Sequence, residues 1–217
     1  MNKNETFSFI KENKFVAIAR GLSEEDLLLS AQAIYDGGIR CLEVTFDQTD
    51  PENLVNTPKL IKALVDKFGD KMCIGSGTVM SVEQCEKAYN AGAKYYVSPN
   101  VDIDVLKKSK ELNMISLVGA YSPTEIAFAY KNGADFVKIF PAGTGGPSYI
   151  KAVRAPLKHI PVLAVGGVNE DNITEYMSTG VLGVGVGDKL LKSELINEKK
   201  FDELTLLAKK FVENMNK

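Results

Sequence analysis

The sequence predicts an α/β protein, a (β/α)₈ TIM barrel with a short N-terminal helix, as a single domain over residues 1–217. Short apolar segments alternate with longer amphipathic ones, which is typical of parallel strands connected by helices. The alternation repeats eight times, the number of units that closes such a barrel. Glycine also precedes several strands, where a helix C-cap needs a positive φ; these are Gly38, Gly92, Gly133 and Gly180.

The elements follow one another regularly along the chain. The leading helix is expected at 7–13, and the first strand is the apolar segment 15–19, which ends before Arg20. Ser23 begins the next helix, because its side chain caps a first turn that is rich in acidic residues. The remaining strands are expected at 39–45, 72–76, 94–98, 114–118, 134–141, 162–165 and 181–186. The remaining helices are expected at 51–68, 81–90, 103–112, 123–131, 149–155, 170–178 and 201–215.

An open, doubly wound sheet is the competing architecture, since its strands and helices also alternate. The count of eight units favours the closed barrel. In such a barrel the active site lies where the strands end and the loops toward the helices begin. The strand ends are therefore the places where functional side chains are expected.

Composition excludes several classes of function. The net charge of −2 and the pI near 5.6, with scattered lysines, argue against a nucleic-acid partner. A histidine triad and a multi-histidine metal site are excluded because His159 is the only histidine, and the three cysteines lack metal-ligand spacing. No apolar run is long enough to cross a membrane, and residues 1–6 lack the apolar core of a signal peptide. We therefore expect a cytoplasmic protein with reduced cysteines and no membrane partner.

Lys138 stands in the middle of the apolar strand 134–141. Alternation places it on one face together with Phe136 and Phe140. An ammonium group among apolar side chains loses hydration, so its pKa falls and the neutral amine becomes a nucleophile toward carbonyl carbons. Taken alone, a lysine in a strand more often extends to solvent or pairs with a carboxylate.

Glu43 changes that balance. In the second strand it lies on the face opposite Leu42 and Val44, and it points into the lumen if those two contact the helices. Strands two and six lie across an eight-stranded barrel, so Glu43 and Lys138 would converge. A buried salt bridge is the structural alternative, and it needs good geometry to offset two desolvation penalties. Schiff-base chemistry needs one group to form an iminium and one to move protons, so catalysis is favoured.

Further strand ends carry candidate binding groups. Thr78 follows the third strand, and it either binds substrate or caps the next helix. Barrels often hold a phosphate through backbone N–H groups after strands seven and eight. The residues there are Gly166, Gly167, Gly187 and Asp188, although the glycines are also compatible with a simple turn.

These residues resemble the class I aldolases that cleave 2-keto-3-deoxy-6-phosphogluconate (KDPG) and 4-hydroxy-2-oxoglutarate (KHG), over about residues 15–191. The segment Leu42–Thr45 resembles the general-base motif of that family. The segments Gly75–Val79 and Val137–Ala142 resemble its Gly-x-Gly-Thr loop and its Schiff-base motif. Two shorter strings also fit, at 97–99 and 122–125.

The resemblance implies that Lys138 forms the Schiff base and that Glu43 moves protons through water. It implies that Thr78 binds the carboxylate of the pyruvate portion and that Arg20 binds an anionic group of the substrate. Two further residues are implied to line the pocket: Pro99 and Phe140. The implied reaction releases pyruvate and an aldehyde, either glyceraldehyde 3-phosphate or glyoxylate, from a keto acid. It needs no metal or other cofactor, and the enzymes are typically homotrimers.

Two positions depart from the family pattern. Many members have an arginine two residues after the Leu-Glu-Val-Thr motif, where this chain has Asp47, so Arg20 is left to supply the cationic contact. The Thr-Gly-Gly of the family is Val165–Gly167 here, as in the galactonate-type relatives, and its Gly-Ser phosphate loop is Gly187–Asp188. The candidate substrates are therefore KDPG, KHG, 2-keto-3-deoxy-6-phosphogalactonate and an unphosphorylated 2-keto-3-deoxy acid, with a phosphorylated one favoured.

Two other functions are compatible with the same residues. In a phosphosugar isomerase or epimerase, Glu43 moves protons and Lys138 acts only through its charge. In a barrel that merely binds small anions, neither residue is catalytic, which the convergence of the pair makes the weakest of the three hypotheses.

Overall fold

The computed structural model describes residues 1–217 and contains a closed barrel of eight parallel strands in chain order. The strands are β1 (Phe15–Ala19), β2 (Cys41–Thr45), β3 (Cys73–Gly77), β4 (Tyr95–Val97), β5 (Ile115–Ala120), β6 (Phe136–Ile139), β7 (Val162–Val165) and β8 (Gly183–Val186). Each strand pairs with its neighbours in the chain, and β1 pairs with β8 to close the barrel. The predicted barrel is therefore confirmed, and the open sheet is excluded.

Ten α-helices accompany the strands, and none is long and apolar enough to cross a membrane. The helices are α1 (Lys3–Asn13), α2 (Glu24–Asp36), α3 (Asn53–Phe68), α4 (Val82–Asn90), α5 (Ile103–Glu111), α6 (Pro123–Lys131), α7 (Ala142–Arg154), α8 (Ile173–Ser178), α9 (Ser193–Asn197) and α10 (Phe201–Met215). The four glycines expected beyond helix ends all have positive φ, between +83° and +100°.

Three helices differ from the prediction. Helix α1 begins at Lys3 rather than residue 7, because Asn2 and Glu5 form a capping box. Helix α7 begins at Ala142 rather than residue 149, and Gly146, at φ +68°, divides it into two helical segments. Helix α9 was not predicted, since five residues are too few to show a helical period.

Strand alternation divides the core into two layers. A cluster of 51 buried residues, which includes Leu42, Val44, Val137 and Ile139, fills the space between strands and helices. A second cluster of 11 buried residues fills the lumen. Because the neighbours of Glu43 and Lys138 face the helices, both of these residues face the lumen, as predicted.

One end of the lumen is closed. Phe7 of α1 stacks on Phe136 with ring centroids 4.6 Å apart, and Ile10 of α1 belongs to the lumen cluster. Above them, Tyr95 occupies the space next to Gly75, where an added Cβ would lie 2.4 Å from the tyrosine ring. The side chains near the carboxyl ends of the strands therefore stand on a filled floor and face a single open end.

Candidate active site

A cavity of about 400 Å³ opens at the carboxyl ends of the strands. Every residue predicted for the site from the sequence lines it. A larger groove of about 830 Å³ lies beside α1, at the opposite end of the barrel. That groove contains neither Glu43 nor Lys138, so the smaller cavity is the candidate active site.

Glu43 and Lys138 are the buried charged groups of this cavity, at 2% and 7% exposure. Burial raises the pKa of Glu43 to about 7, although the positive charges of Lys138 and Arg20 oppose the shift. Burial also lowers the pKa of Lys138; the charge of Glu43 opposes this, and that of Arg20 reinforces it. Near neutral pH Glu43 therefore exists in both protonation states, and more of Lys138 is neutral than in a free lysine.

The two side chains do not form a salt bridge, since no nitrogen–oxygen contact of 4.0 Å or less joins them. The Nζ atom of Lys138 lies instead 4.7 Å from the centroid of the Phe140 ring. The structural alternative of a buried ion pair is therefore excluded. Both groups remain available to a molecule in the cavity.

Gly77 creates the space that the Glu43 carboxylate occupies. An added Cβ at Gly77 would lie 2.5 Å from Oε1 of Glu43 and 2.9 Å from Cγ2 of Thr45. Gly119 of β5 likewise makes room for the backbone of Pro99, since an added Cβ would lie 2.3 Å from the Pro99 carbonyl. Sequence reasoning missed both glycines as residues that shape the site, because their effect depends on register across strands.

Thr78 is half-buried and follows β3 with a φ of +53°. The cap of α4 is Ser81, whose Oγ accepts a hydrogen bond from the N–H of Gln84 at 3.1 Å. Thr78 is therefore not the helix cap. It lines the cavity, so substrate binding is the predicted alternative that remains. Pro99, half-buried, and Phe140, 37% exposed, follow β4 and β6 on the same side.

The loops after β7 and β8 offer backbone N–H groups to the cavity. Gly166 and Gly167 both have positive φ, +87° and +85°. The N–H groups of Gly167 and Gly187 donate no hydrogen bond to a backbone acceptor. The close approach of Gly143 fixes this loop, since an added Cβ at Gly167 would lie 2.6 Å from its Cα.

Exposed charged residues surround the mouth. Arg20 follows β1, and Asp188 and Lys189 follow β8. Sequence reasoning missed Lys189, although it directly follows Asp188. Asp47 lines a separate small cavity of about 180 Å³, where its carboxylate accepts hydrogen bonds from the N–H and Oγ1 of Thr49. Arg20 is therefore the cation on the β1 side of the mouth.

Comparisons with known proteins identify the family. The family model described as KDPG and KHG aldolase matches residues 7–207. The chain is 35% identical to the 2-dehydro-3-deoxy-6-phosphogalactonate aldolase of Escherichia coli strain K12, over 82% of this chain and 84% of that protein. It is 33% identical to the 2-dehydro-3-deoxy-phosphogluconate aldolase of Treponema pallidum strain Nichols, over 85% of each chain.

A solved structure agrees with these relatives. The KDPG aldolase of Legionella pneumophila, with pyruvate captured as a covalent carbinolamine intermediate, superimposes with a TM-score of 0.83 at 26% identity. The match covers 96% of this chain and 97% of that one. The chain therefore belongs to the KDPG and KHG aldolase family, and it is an aldolase, a carbon–carbon lyase.

Proposed function

We propose that this aldolase is a class I, Schiff-base enzyme that cleaves a phosphorylated 2-keto-3-deoxy sugar acid to pyruvate and glyceraldehyde 3-phosphate. The observation that carries the proposal is that Lys138 and Glu43 line one cavity unpaired, with pKa values that burial shifts toward neutrality. The relatives support the substrate class, because their names specify 2-keto-3-deoxy phosphosugar acids of the galactonate and gluconate series.

The neutral amine of Lys138 attacks the C2 carbonyl carbon of the substrate. The carbinolamine that forms accepts a proton from Glu43 on its hydroxyl group and loses water to give an iminium ion. The Glu43 carboxylate then removes the proton of the C4 hydroxyl. The C3–C4 bond breaks, its electron pair moves into the iminium to form an enamine, and the aldehyde leaves.

The release of pyruvate reverses the steps by which the iminium formed. Glu43 donates its proton to C3 of the enamine, and water hydrolyses the resulting iminium to free Lys138. A pKa near 7 suits a group that must donate and accept in one cycle. Thr78 binds the substrate carboxylate, Arg20 contacts an anionic group, and Pro99 and Phe140 enclose the three-carbon portion.

The phosphate is bound by backbone amides of Gly166, Gly167 and Gly187. Asp188 opposes this unless its carboxylate turns outward, since two unit charges near 4 Å repel by about 4 kcal/mol at an effective dielectric of about 20. Its exposed position is compatible with an outward orientation, and the neighbouring ammonium of Lys189 partly offsets its charge.

We also propose that the protein is a homotrimer of single-domain chains, each spanning residues 1–217, that acts in the cytoplasm. The resemblance to homotrimeric aldolases supports the assembly, and exposed aromatic side chains on α6, Phe128 and Tyr130, offer apolar surface for it. Three free, buried cysteines are compatible with a reducing compartment: Cys41, Cys73 and Cys85.

Incubation with pyruvate and borohydride tests the Schiff base. We expect a stable mass increase on the peptide that contains Lys138, because borohydride reduces the iminium to a secondary amine. Lys189 lines the same cavity but is exposed, so it serves as the internal control and should remain unmodified. A folded protein without an adduct at Lys138 would contradict the Schiff-base mechanism.

Substrate comparison tests the phosphate. We expect kcat/KM for KDPG or its galactonate analogue to exceed that for the unphosphorylated acid and for KHG by about 10²-fold, as for one or two hydrogen bonds to a charged group. The Asp188→Ser variant should increase this preference, whereas Asp171→Ser, an exposed carboxylate outside the cavity, should not change it. A parent without preference, in which Asp188→Ser creates one, would mean that the native substrate is unphosphorylated.

A further inference from the structure

A chain of hydrogen bonds connects Thr78 to the interior of the protein. Gln84 of α4 is 4% exposed, and its Oε1 accepts a hydrogen bond from the N–H of Met80 at 2.8 Å. Its Nε2 donates to Oε1 of Gln48 at 3.0 Å and to Oδ1 of Asn53 at 3.3 Å. Nε2 of Gln48 in turn donates to the carbonyl oxygen of Thr78 at 2.8 Å.

The two glutamines have only one orientation that satisfies every bond. The chain starts at a backbone N–H, which can only donate, and ends at a backbone carbonyl, which can only accept. Rotation of the Gln84 amide by 180° would set its NH₂ group against the N–H of Met80. Rotation of the Gln48 amide would set its oxygen against the carbonyl of Thr78. The polarity of the chain therefore determines the orientation of both side chains.

Thr78 is a residue that needs such support. It has a φ of +53°, and a β-branched side chain rarely adopts that region. A conformation of this kind persists where the surrounding structure holds it, and such residues cluster at ligand sites. Two backbone hydrogen bonds also hold the segment, from the N–H of Val79 to the carbonyl of Val97 at 3.0 Å and from the N–H of Phe46 to the carbonyl of Gly77 at 2.9 Å.

We propose that Gln48 and Gln84 are positioning residues, which hold Thr78 in its left-handed conformation and so direct it at the carboxylate of the keto acid. The inference rests on the proposed function for the role of Thr78 in binding. Neither glutamine lines the catalytic cavity, so neither touches the substrate. Both act on catalysis only through the position of Thr78.

The test uses Gln48→Met and Gln84→Met, which keep side-chain length but remove the hydrogen bonds. We expect the pyruvate concentration for half-maximal borohydride trapping, and the KM for cleavage, to rise about tenfold, which corresponds to about 1.4 kcal/mol. The kcat should change by less than about twofold. Gln32→Met is the matched control, because Gln32 also bonds through its amide, to Asp36 at 3.0 Å, but lies outside the cavity.

A second background isolates the mechanism. Glycine adopts positive φ without strain, so in Thr78→Gly the addition of Gln84→Met should not raise the half-saturating concentration further. An additional tenfold rise in that background would overturn the proposal. Exposed Gln48 provides a variant that should fold even if Gln84→Met does not.

Amide hydrogen exchange gives a readout that does not depend on the activity. Exchange at Thr78–Met80 should be faster in Gln48→Met than in the parent and in Gln32→Met. If the parent is trapped at Lys138, unchanged amide exchange together with an unchanged half-saturating pyruvate concentration would refute the positioning role of the two glutamines. If pyruvate does not label the parent, the proposed function is refuted. In that case amide exchange alone tests the positioning role, and unchanged exchange would refute it.

Discussion

Replacement of Lys138 by alanine or methionine is expected to abolish turnover, with a loss of more than about 10⁴-fold, and the methionine variant should remain at least as stable as the parent. Without the amine no iminium forms, so the C3–C4 bond has no acceptor for its electrons. The expected stability of the methionine variant has a physical reason. Burial disfavours the charged form of Lys138 and so lowers its pKa. The folded state therefore carries a cost at neutral pH that methionine, of similar length, removes.

Activity and stability are to be measured on the same preparations, as kcat for cleavage and as the midpoint of thermal unfolding. Lys131→Met, which removes an exposed lysine of α6, is the control and should change neither value. Turnover within about tenfold of the parent in Lys138→Met would contradict the Schiff-base mechanism. A large loss of stability would instead assign Lys138 a structural role.

Glu43→Gln is expected to lower kcat by about 10² to 10⁴, the usual contribution of a general acid–base group. Lys138 should still be trapped with pyruvate, because the amine remains, but exchange of the pyruvate methyl protons should slow. In the parent Glu43 donates its proton first, and that acid form is lost above its pKa of about 7, so kcat/KM for cleavage should fall on the alkaline side of that pH. Glu43→Gln should lack this limb; cleavage kinetics across the pH range measure it, and NMR of the pyruvate methyl protons measures the exchange.

The raised pKa of Glu43 also predicts how the stability of the fold changes with pH. Burial raises the pKa of Glu43 from 4.5 to about 7, so the folded state binds a proton that the unfolded chain releases in that interval. Its contribution is complete below pH 4.5 and is lost as the pH rises through about 7. Glu43→Gln should therefore gain stability relative to the parent between these values.

The catalytic role of Glu43 has its own contradicting outcome. If Glu43→Gln exchanged methyl protons as fast as the parent, another group would be the base.

The barrel and the positions of Glu43 and Lys138 were predictable because both depend on local periodicity. Apolar neighbours at 42, 44, 137 and 139 determine which face each strand turns to the helices, and the parallel order brings all strand ends to one mouth. No contact from elsewhere in the chain was needed to infer this.

The remainder depends on contacts that periodicity does not encode. The link from Gln84 of α4 to Thr78 passes through Gln48, which lies 36 residues from Gln84 in sequence, on the loop after β2. The space for Glu43 depends on Gly77 of the adjacent strand. Asp47 lines a separate small cavity and accepts local hydrogen bonds from Thr49, which its place after β2 does not reveal.

The closed floor of the barrel determines the order in which products leave. Helix α1 and Tyr95 block the lumen beneath Glu43, so whatever enters the cavity must leave through the same opening. In the proposed mechanism the three-carbon fragment stays bonded to Lys138 at the bottom of the cavity, while the aldehyde lies between that fragment and the exposed mouth. The aldehyde therefore departs first. Pyruvate follows only after water has entered the space that the aldehyde occupied.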